Sequence, residues 1–234
     1  MNTSANLKPA LAELVGTFMF VFLGAGAGAM AATNGGGIVA VALAHGLALM
    51  LVIYAFGFVS GAHVNPAVTL ALAVTRKVTW ERAVWYWIAQ ALGAIVAAYL
   101  LLYLVGAGTG LGATIGSLTR TDPIRATVTE AVLTFFLVSA VFGTGVSGRN
   151  GNAVGVAIGM VLAADALMGG ALTGASMNPA RTLGPAVATG DFSYLWIYIV
   201  GPVVGGLAAA LLYNQVFLPR EAPAPQPLTR KQRR

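Results

Sequence analysis

The tripeptide Asn-Pro-Ala occurs twice, at residues 65–67 and 178–180, each time inside a long apolar stretch. The flanks match too. Ser-Gly-Ala-His-Val-Asn-Pro-Ala-Val-Thr over 60–69 and Thr-Gly-Ala-Ser-Met-Asn-Pro-Ala-Arg-Thr over 173–182 are two copies of one segment. Asparagine caps helix N-termini, and proline suits the first helical position, so each Asn-Pro starts a helix. Starting a helix at membrane depth is costly unless the freed backbone groups line a polar cavity. Asn65 and Asn178 also carry amide N–H groups that can donate to a passing oxygen, while their carbonyls or backbone hold the helix starts. The chemistry on offer is hydrogen bonding along a pore.

The elements that position these motifs must be membrane spans. Of 234 residues, 58% are hydrophobic and 9% charged, against about 25% charged in a soluble domain. Six apolar runs approach the ~20 residues a spanning helix needs: about 11–32, 38–59, 83–105, 124–145, 153–171 and 192–216. The first is read as a span rather than a cleaved signal, since it carries Glu13, has only Lys8 before it, and resembles the fourth. The absence of cysteine excludes disulfides, thiolate metal sites and cysteine nucleophiles, and predicts insensitivity to mercurial blockers.

The net charge of +6 is distributed as a membrane protein's, not as a nucleic-acid binder's. With both termini cytoplasmic, Lys8, Arg76, Lys77, Arg82, Arg149 and the five cations from Arg220 onward lie inside, whereas Arg120 and Arg125 lie outside. Residues 217–234 read as a proline-spaced basic cytoplasmic tail, disordered and facing the inner leaflet, or alternatively as a partner-binding signal. Trp80, Trp85, Tyr86 and Trp87 at one end of span three, and Tyr194, Trp196 and Tyr198 at the start of span six, suit the interfaces.

Residues 1–216 form one domain made of two repeats, about 9–105 and 124–216. Ala-Glu-Leu-Val-Gly-Thr-Phe at 12–18 answers Thr-Glu-Ala-Val-Leu-Thr-Phe at 129–135, and Gly-Ala-Ile-Val-Ala-Ala at 93–98 answers Gly-Gly-Leu-Ala-Ala-Ala at 205–210. Glu13 and Glu130 lie 117 residues apart, and the two asparagines 113. Three spans per repeat is an odd number, so the second copy enters the membrane inverted, with the working site at the midplane interface. Helix-compatible residues follow each motif over 66–74 and 179–187. At 1.5 Å per residue each half-helix covers about 14 Å, half of a ~30 Å core. Two half-helices meeting N-terminus to N-terminus place about half a positive elementary charge apiece at the centre, which disfavours cations and hydronium and leaves neutral molecules free to pass.

On these residues the chain resembles the major intrinsic protein family, the aquaporins and glycerol facilitators, from Pro9 to Val216, including Gly201-Pro202. Proton exclusion by opposed half-helix dipoles is an established property of such channels rather than a result for this chain. The resemblance implies an all-α membrane protein of six tilted helices and two re-entrant half-helices, a pore in each subunit, and a homotetramer in lipid. It implies no cofactor or metal, no enzymatic activity, and water with small neutral solutes as the only ligands. By it, Asn65, Pro66, Ala67, Asn178, Pro179 and Ala180 form the pore motifs. Glu13 and Glu130 brace the re-entrant loops, against the plainer reading of charges tolerated near helix ends. His63 orients the first loop or is a hydrogen-bonded loop residue.

The family's outer filter can be located by spacing. Span two offers His45 where water-selective members usually have Phe. Twelve before Asn178 is Ala166, three before it is Ala175, and Arg181 follows the second motif. A filter of His45, Ala166, Ala175 and Arg181 is similar to that of plant tonoplast-type aquaporins, several of which pass ammonia, urea or hydrogen peroxide beside water. The two alanines should widen it, and a fixed arginine both donates to solutes and repels cations. Where the glycerol branch has Asp and a basic residue, this chain has Thr182 and Ala186. Only Tyr198, followed by Ile199, remains of the aromatic pair usual in span six of water channels.

Asp165 has no family role. It either supports His45 or Arg181, which could make the filter pH-sensitive, or bonds a neighbouring helix. Gly24 with Gly28, and Gly155 with Gly159, read as helix contact faces rather than a nucleotide loop. The expected function is passive conduction of water. A glycerol facilitator is the alternative, and a coupled transporter a more distant one, because asparagines and an arginine stand where transporters usually place acids or a cation site. An intramembrane enzyme lacks a nucleophile with a base or clustered metal ligands. The short termini without an organelle address suggest the plasma (inner) membrane of a prokaryote, although an intracellular membrane suits the filter.

Overall fold

A computed structural model describes residues 3–219. The described residues are helical or irregular, with no strand among them. The helices are α1 (Thr3–Asn34), α2 (Gly37–Ser60), α3 (Pro66–Val74), α4 (Trp80–Val105), α5 (Ser117–Thr121), α6 (Pro123–Ala140), α7 (Val154–Thr173), α8 (Pro179–Thr189) and α9 (Ile197–Leu212). Wider π turns extend α6 over Val141–Val146 and α9 over Tyr213–Phe217. With these extensions, α1, α2, α4, α6, α7 and α9 are long and apolar enough to cross a membrane.

The boundaries follow local chemistry. Asn65 and Asn178 adopt extended backbone before α3 and α8, and proline follows each at the first helical position. Asp122 caps α6 through the Arg125 N–H, again with proline next. Gly61 and Gly174 close α2 and α7 in the left-handed region, at φ 89° and 85°, where a side chain would be strained. The last span departs from expectation. Helix α9 begins at Ile197 rather than near 192, because the Asp191 carboxylate accepts the Ser193 N–H and holds 191–196 in turns. The second half-helix runs two residues beyond the expected 187, and the first keeps its expected bounds. The basic tail expected over 217–234 lies outside the described residues from 220 onward.

Packing repeats with the sequence. Helix α1 packs on α2 and α4 as α6 packs on α7 and α9, and α2 against α7 joins the halves. Each half-helix then crosses over: α8 rests on α4, and α3 on α9. Close approach depends on glycine, since a Cβ at Gly93 of α4 would strike the Leu14 carbonyl of α1, and one at Gly205 of α9 the Ala131 carbonyl of α6. Those contacts set each third span directly beside Glu13 or Glu130.

Large apolar side chains such as Phe58, Tyr103 and Ile124 face outward, whereas Glu13, Gln90 and Glu130 are fully buried. This inside-out polarity suits a bilayer.

Candidate functional site

The re-entrant loops are built around the two glutamates. The Glu13 carboxylate accepts from the backbone N–H groups of His63 (2.9 Å) and Val64 (2.6 Å), from Ser60 Oγ (2.6 Å) and from Gln90 Nε2 (2.8 Å). Glu130 accepts from the N–H groups of Ser176 (2.9 Å) and Met177 (2.7 Å) and from Thr173 Oγ1 (2.7 Å). A buried carboxylate is tolerable only when so many donors replace its water. Ala62, Val64, Ala175 and Met177 adopt positive φ, a strained choice for these residue types, and the glutamate bonds help hold it. With N–H groups turned to the glutamate, the loop carbonyls face away from it.

The asparagines stand where the loops meet. Asn65 Oδ1 accepts from the Ala67 N–H (2.9 Å), and Asn178 Oδ1 from those of Ala180 (3.0 Å) and Arg181 (3.2 Å). Each amide nitrogen also donates across the twofold: Asn65 Nδ2 to the Met177 carbonyl and Asn178 Nδ2 to the Val64 carbonyl, both 2.8 Å. An amide has two N–H bonds, so each asparagine keeps one for the lumen. Both line a cavity of about 750 Å³ that extends to Lys77 and Asn152 and is walled by Ile53, Ala62, Val68 and Ile158. Pro66, Ala67, Pro179 and Ala180 form the first turns of α3 and α8, and the Pro66 carbonyl accepts from Trp87 Nε1 at 3.2 Å.

Beyond the asparagines, α2 and α8 bring His45 and Arg181 into contact, both buried. His45 Nδ1 lies 2.9 Å from the Val41 carbonyl, so it carries the proton, and Nε2 accepts from Arg181 Nε (3.3 Å) and Nη2 (3.2 Å). Arg181 Nη1 donates to the Gly112 carbonyl at 2.6 Å, which ties the 107–112 loop to the half-helix. Ala166 on α7 and Ala175 in the second loop are buried in the same core cluster. Their small side chains add no polar group.

His63 donates its backbone N–H to Glu13, and its ring Nδ1 lies 3.1 Å from Thr69 Oγ1. The ring stands edge-on to Tyr86 and also lines the cavity. Asp165 is not bonded to the filter pair. Both His45 nitrogens are engaged by Val41 and Arg181, and one Asp165 oxygen, Oδ2, is buried without a hydrogen-bond partner.

The sequence reading did not give several residues their supporting roles, and Tyr86 and Tyr198, expected at the interfaces, are buried. Ser60 and Thr173 bond the glutamates. Tyr86 and Tyr198 donate to the Ser60 and Thr173 carbonyls, at 2.8 and 2.7 Å. Thr182 Oγ1 lies 2.6 Å from Ser176 Oγ and 2.9 Å from Thr114 Oγ1, a hydroxyl chain behind the second loop. The Gly112 carbonyl is a backbone group and left no mark in the sequence.

An inverted repeat of membrane spans, with two half-helices meeting at paired asparagines, defines a helical membrane channel fold. The chain belongs to the major intrinsic protein family, whose model matches residues 1–213, and it is an integral membrane protein. It is 46% identical over 178 residues to "Probable aquaporin TIP2-2" of Arabidopsis thaliana, covering 71% of this chain and 67% of that one. It is 44% identical over 178 residues to "Aquaporin TIP4-4" of Zea mays, covering 72% and 68%. Among solved structures, the aquaglyceroporin from Plasmodium falciparum superposes with a TM-score of 0.76 at 27% identity, covering 90% of this chain and 96% of that one.

Proposed function

We propose that the protein is a passive channel for water, not an enzyme, with the pore running past Asn65 and Asn178 and through a filter of His45, Ala166, Ala175 and Arg181. The observation that carries this reading is the reciprocal pairing of the asparagines, which leaves each one outward N–H at the meeting point of two helix N-termini. Water can trade hydrogen bonds there, whereas a cation meets two positive dipole ends and then Arg181. The TIP-type relatives support water as the main solute. Two alanines opposite His45 and Arg181 leave room for ammonia, urea or hydrogen peroxide.

A glycerol facilitator is the second reading, favoured by the structural likeness to an aquaglyceroporin and opposed by Thr182, which bonds the Ser176 and Thr114 hydroxyls. Stopped-flow light scattering of proteoliposomes decides among them. Fast shrinkage in sucrose with slow glycerol re-swelling is expected. Glycerol entry as fast as water would move the assignment, and shrinkage at the rate of empty vesicles would end it.

The domain division at 216, the homotetramer and the plasma-membrane location with cytoplasmic termini are further parts of this proposal. The first two rest on the repeats and the family resemblance. Cytoplasmic termini rest on the cation asymmetry between loops. Native mass measurement, protease protection of the tail and membrane fractionation test them.

A further inference from the structure

We propose that Gly24 and Gly28 of α1 are positioning residues for the filter arginine, fixing Arg181 through its two acceptors, His45 and the Gly112 carbonyl. This rests on reading His45 and Arg181 as the filter.

The guanidinium is a rigid fork, so its acceptors decide where its charge sits. Nε and Nη2 donate to His45 Nε2, and Nη1 donates to the Gly112 carbonyl. Each acceptor is seated on α1. A Cβ at Gly24 would lie 2.6 Å from His45 Cδ2 and 2.8 Å from Nε2, inside the imidazole's contact surface. Phe20, one turn earlier, meets the same ring edge-on at 5.9 Å between centroids, and the Val41 carbonyl fixes its far nitrogen. The ring has no second place to go. One turn later, a Cβ at Gly28 would lie 3.2 Å from Gly112 Cα. Gly112 itself, at φ 64°, presses on the Ala25 backbone so closely that it tolerates no Cβ.

The pair Gly24 and Gly28 therefore contacts the filter's supports rather than only a neighbouring helix. Gly26 supplies the contrast. Its added Cβ would meet the flexible end of Leu101 at 3.1 Å, and no atom of His45 or Gly112 lies within 4 Å of it.

The test uses the full chain in bilayers, with Gly24→Ala, Gly28→Ala and Gly26→Ala. The protein has two histidines, so ¹⁵N-histidine solid-state NMR resolves His45 from His63, with His45→Ala assigning the signals. Wild type should show His45 protonated at Nδ1. Gly24→Ala should move the His45 signals and leave those of His63, and Gly26→Ala should move neither. The urea-to-water permeability ratio should shift about threefold or more in Gly24→Ala, and by much less when Gly24→Ala is added to His45→Ala, as a contact pair's coupling requires. Should Gly24→Ala fail to fold, Gly28→Ala carries the comparison. There the ratio should move, and the His45 Nε2 signal should shift with Arg181 while that of Nδ1, held by the Val41 carbonyl, changes less. Unchanged His45 signals in Gly24→Ala, or an equal ratio shift without His45, reduces the glycines to packing and overturns the proposal. A wild-type protein that passes no water would sink the channel reading instead, and the NMR comparison would still decide the seat.

Discussion

The two ends of the proposed pore are built on one plan and finished with different chemistry. Applying the 113-residue offset of the repeat, the counterparts of His45, Ala166, Ala175 and Arg181 are Ile158, Ile53, Ala62 and Val68. All four counterparts line the cavity. The scaffold beneath is conserved between halves: Glu13 matches Glu130, Ser60 matches Thr173, and Tyr86 matches Tyr198, with equivalent bonds. At these four positions a cation and an imidazole appear at the His45–Arg181 end alone, while His63 and Lys77 line the cavity from other positions. The difference teaches that the fold uses its braces twice, whereas on the channel reading selection would need a charged constriction only once.

The largest effect should come from the braces. Glu13→Ala orphans four buried donors and Glu130→Ala three. At about 1–3 kcal/mol per orphan, either loss rivals the ~5–15 kcal/mol that holds a typical domain together. Both variants should lose the monodisperse peak in detergent, Glu13→Ala more completely. A well-folded Glu13→Ala would dissolve the equivalence of the halves.

The charge asymmetry is tested next. Arg181→Ala should raise proton or cation leak in pH-dye-loaded vesicles about tenfold, the factor that ~1.4 kcal/mol of lost repulsion gives. Val68→Ala at the matching inner position should leave the leak unchanged. No rise in either would place the barrier at the half-helix dipoles alone.

Width follows. Ala166→Ile should cut urea entry about tenfold and water less, whereas the inner Ile53→Ala should change urea entry by less than about twofold. Equal sensitivity at both rings would mean that solutes are sorted along the whole pore. The smallest expected effect is that of pH. His45 has both nitrogens engaged, by a carbonyl and by the guanidinium. Water permeability should thus stay flat from about pH 5 to 8, and a step in that range would return Asp165 to consideration as a partner.

Much of this was legible because the repeat is written in the sequence twice. Asn-Pro marks a helix start with its own cap, and the first half-helix has the expected bounds. Spans could be read from apolar length because a bilayer leaves few other structures open. The start of α9 was not legible, since an aspartate turn after Gly190 looks apolar at the scale of a span. The proposed filter positions came from the family resemblance, three of them by spacing to the second motif, but the His45–Arg181 bond and its third partner were not legible. A carbonyl such as that of Gly112 has no side chain to announce it. Gln90, which bonds both Glu13 and Thr69, lacks a counterpart in the second half and so carried no repeat signal.

The crossed asparagine bonds bear on how the chain is made. Asn65 finds its partner on Met177, and α3 rests on α9, the last span to be synthesised. When the first repeat leaves the ribosome, its re-entrant loop has its glutamate and α4 but neither the opposite loop nor α9. The loop's final seat must wait for the whole second repeat to insert. A nascent chain arrested before α9 should therefore expose its first loop to quality-control proteases however well its early spans are inserted.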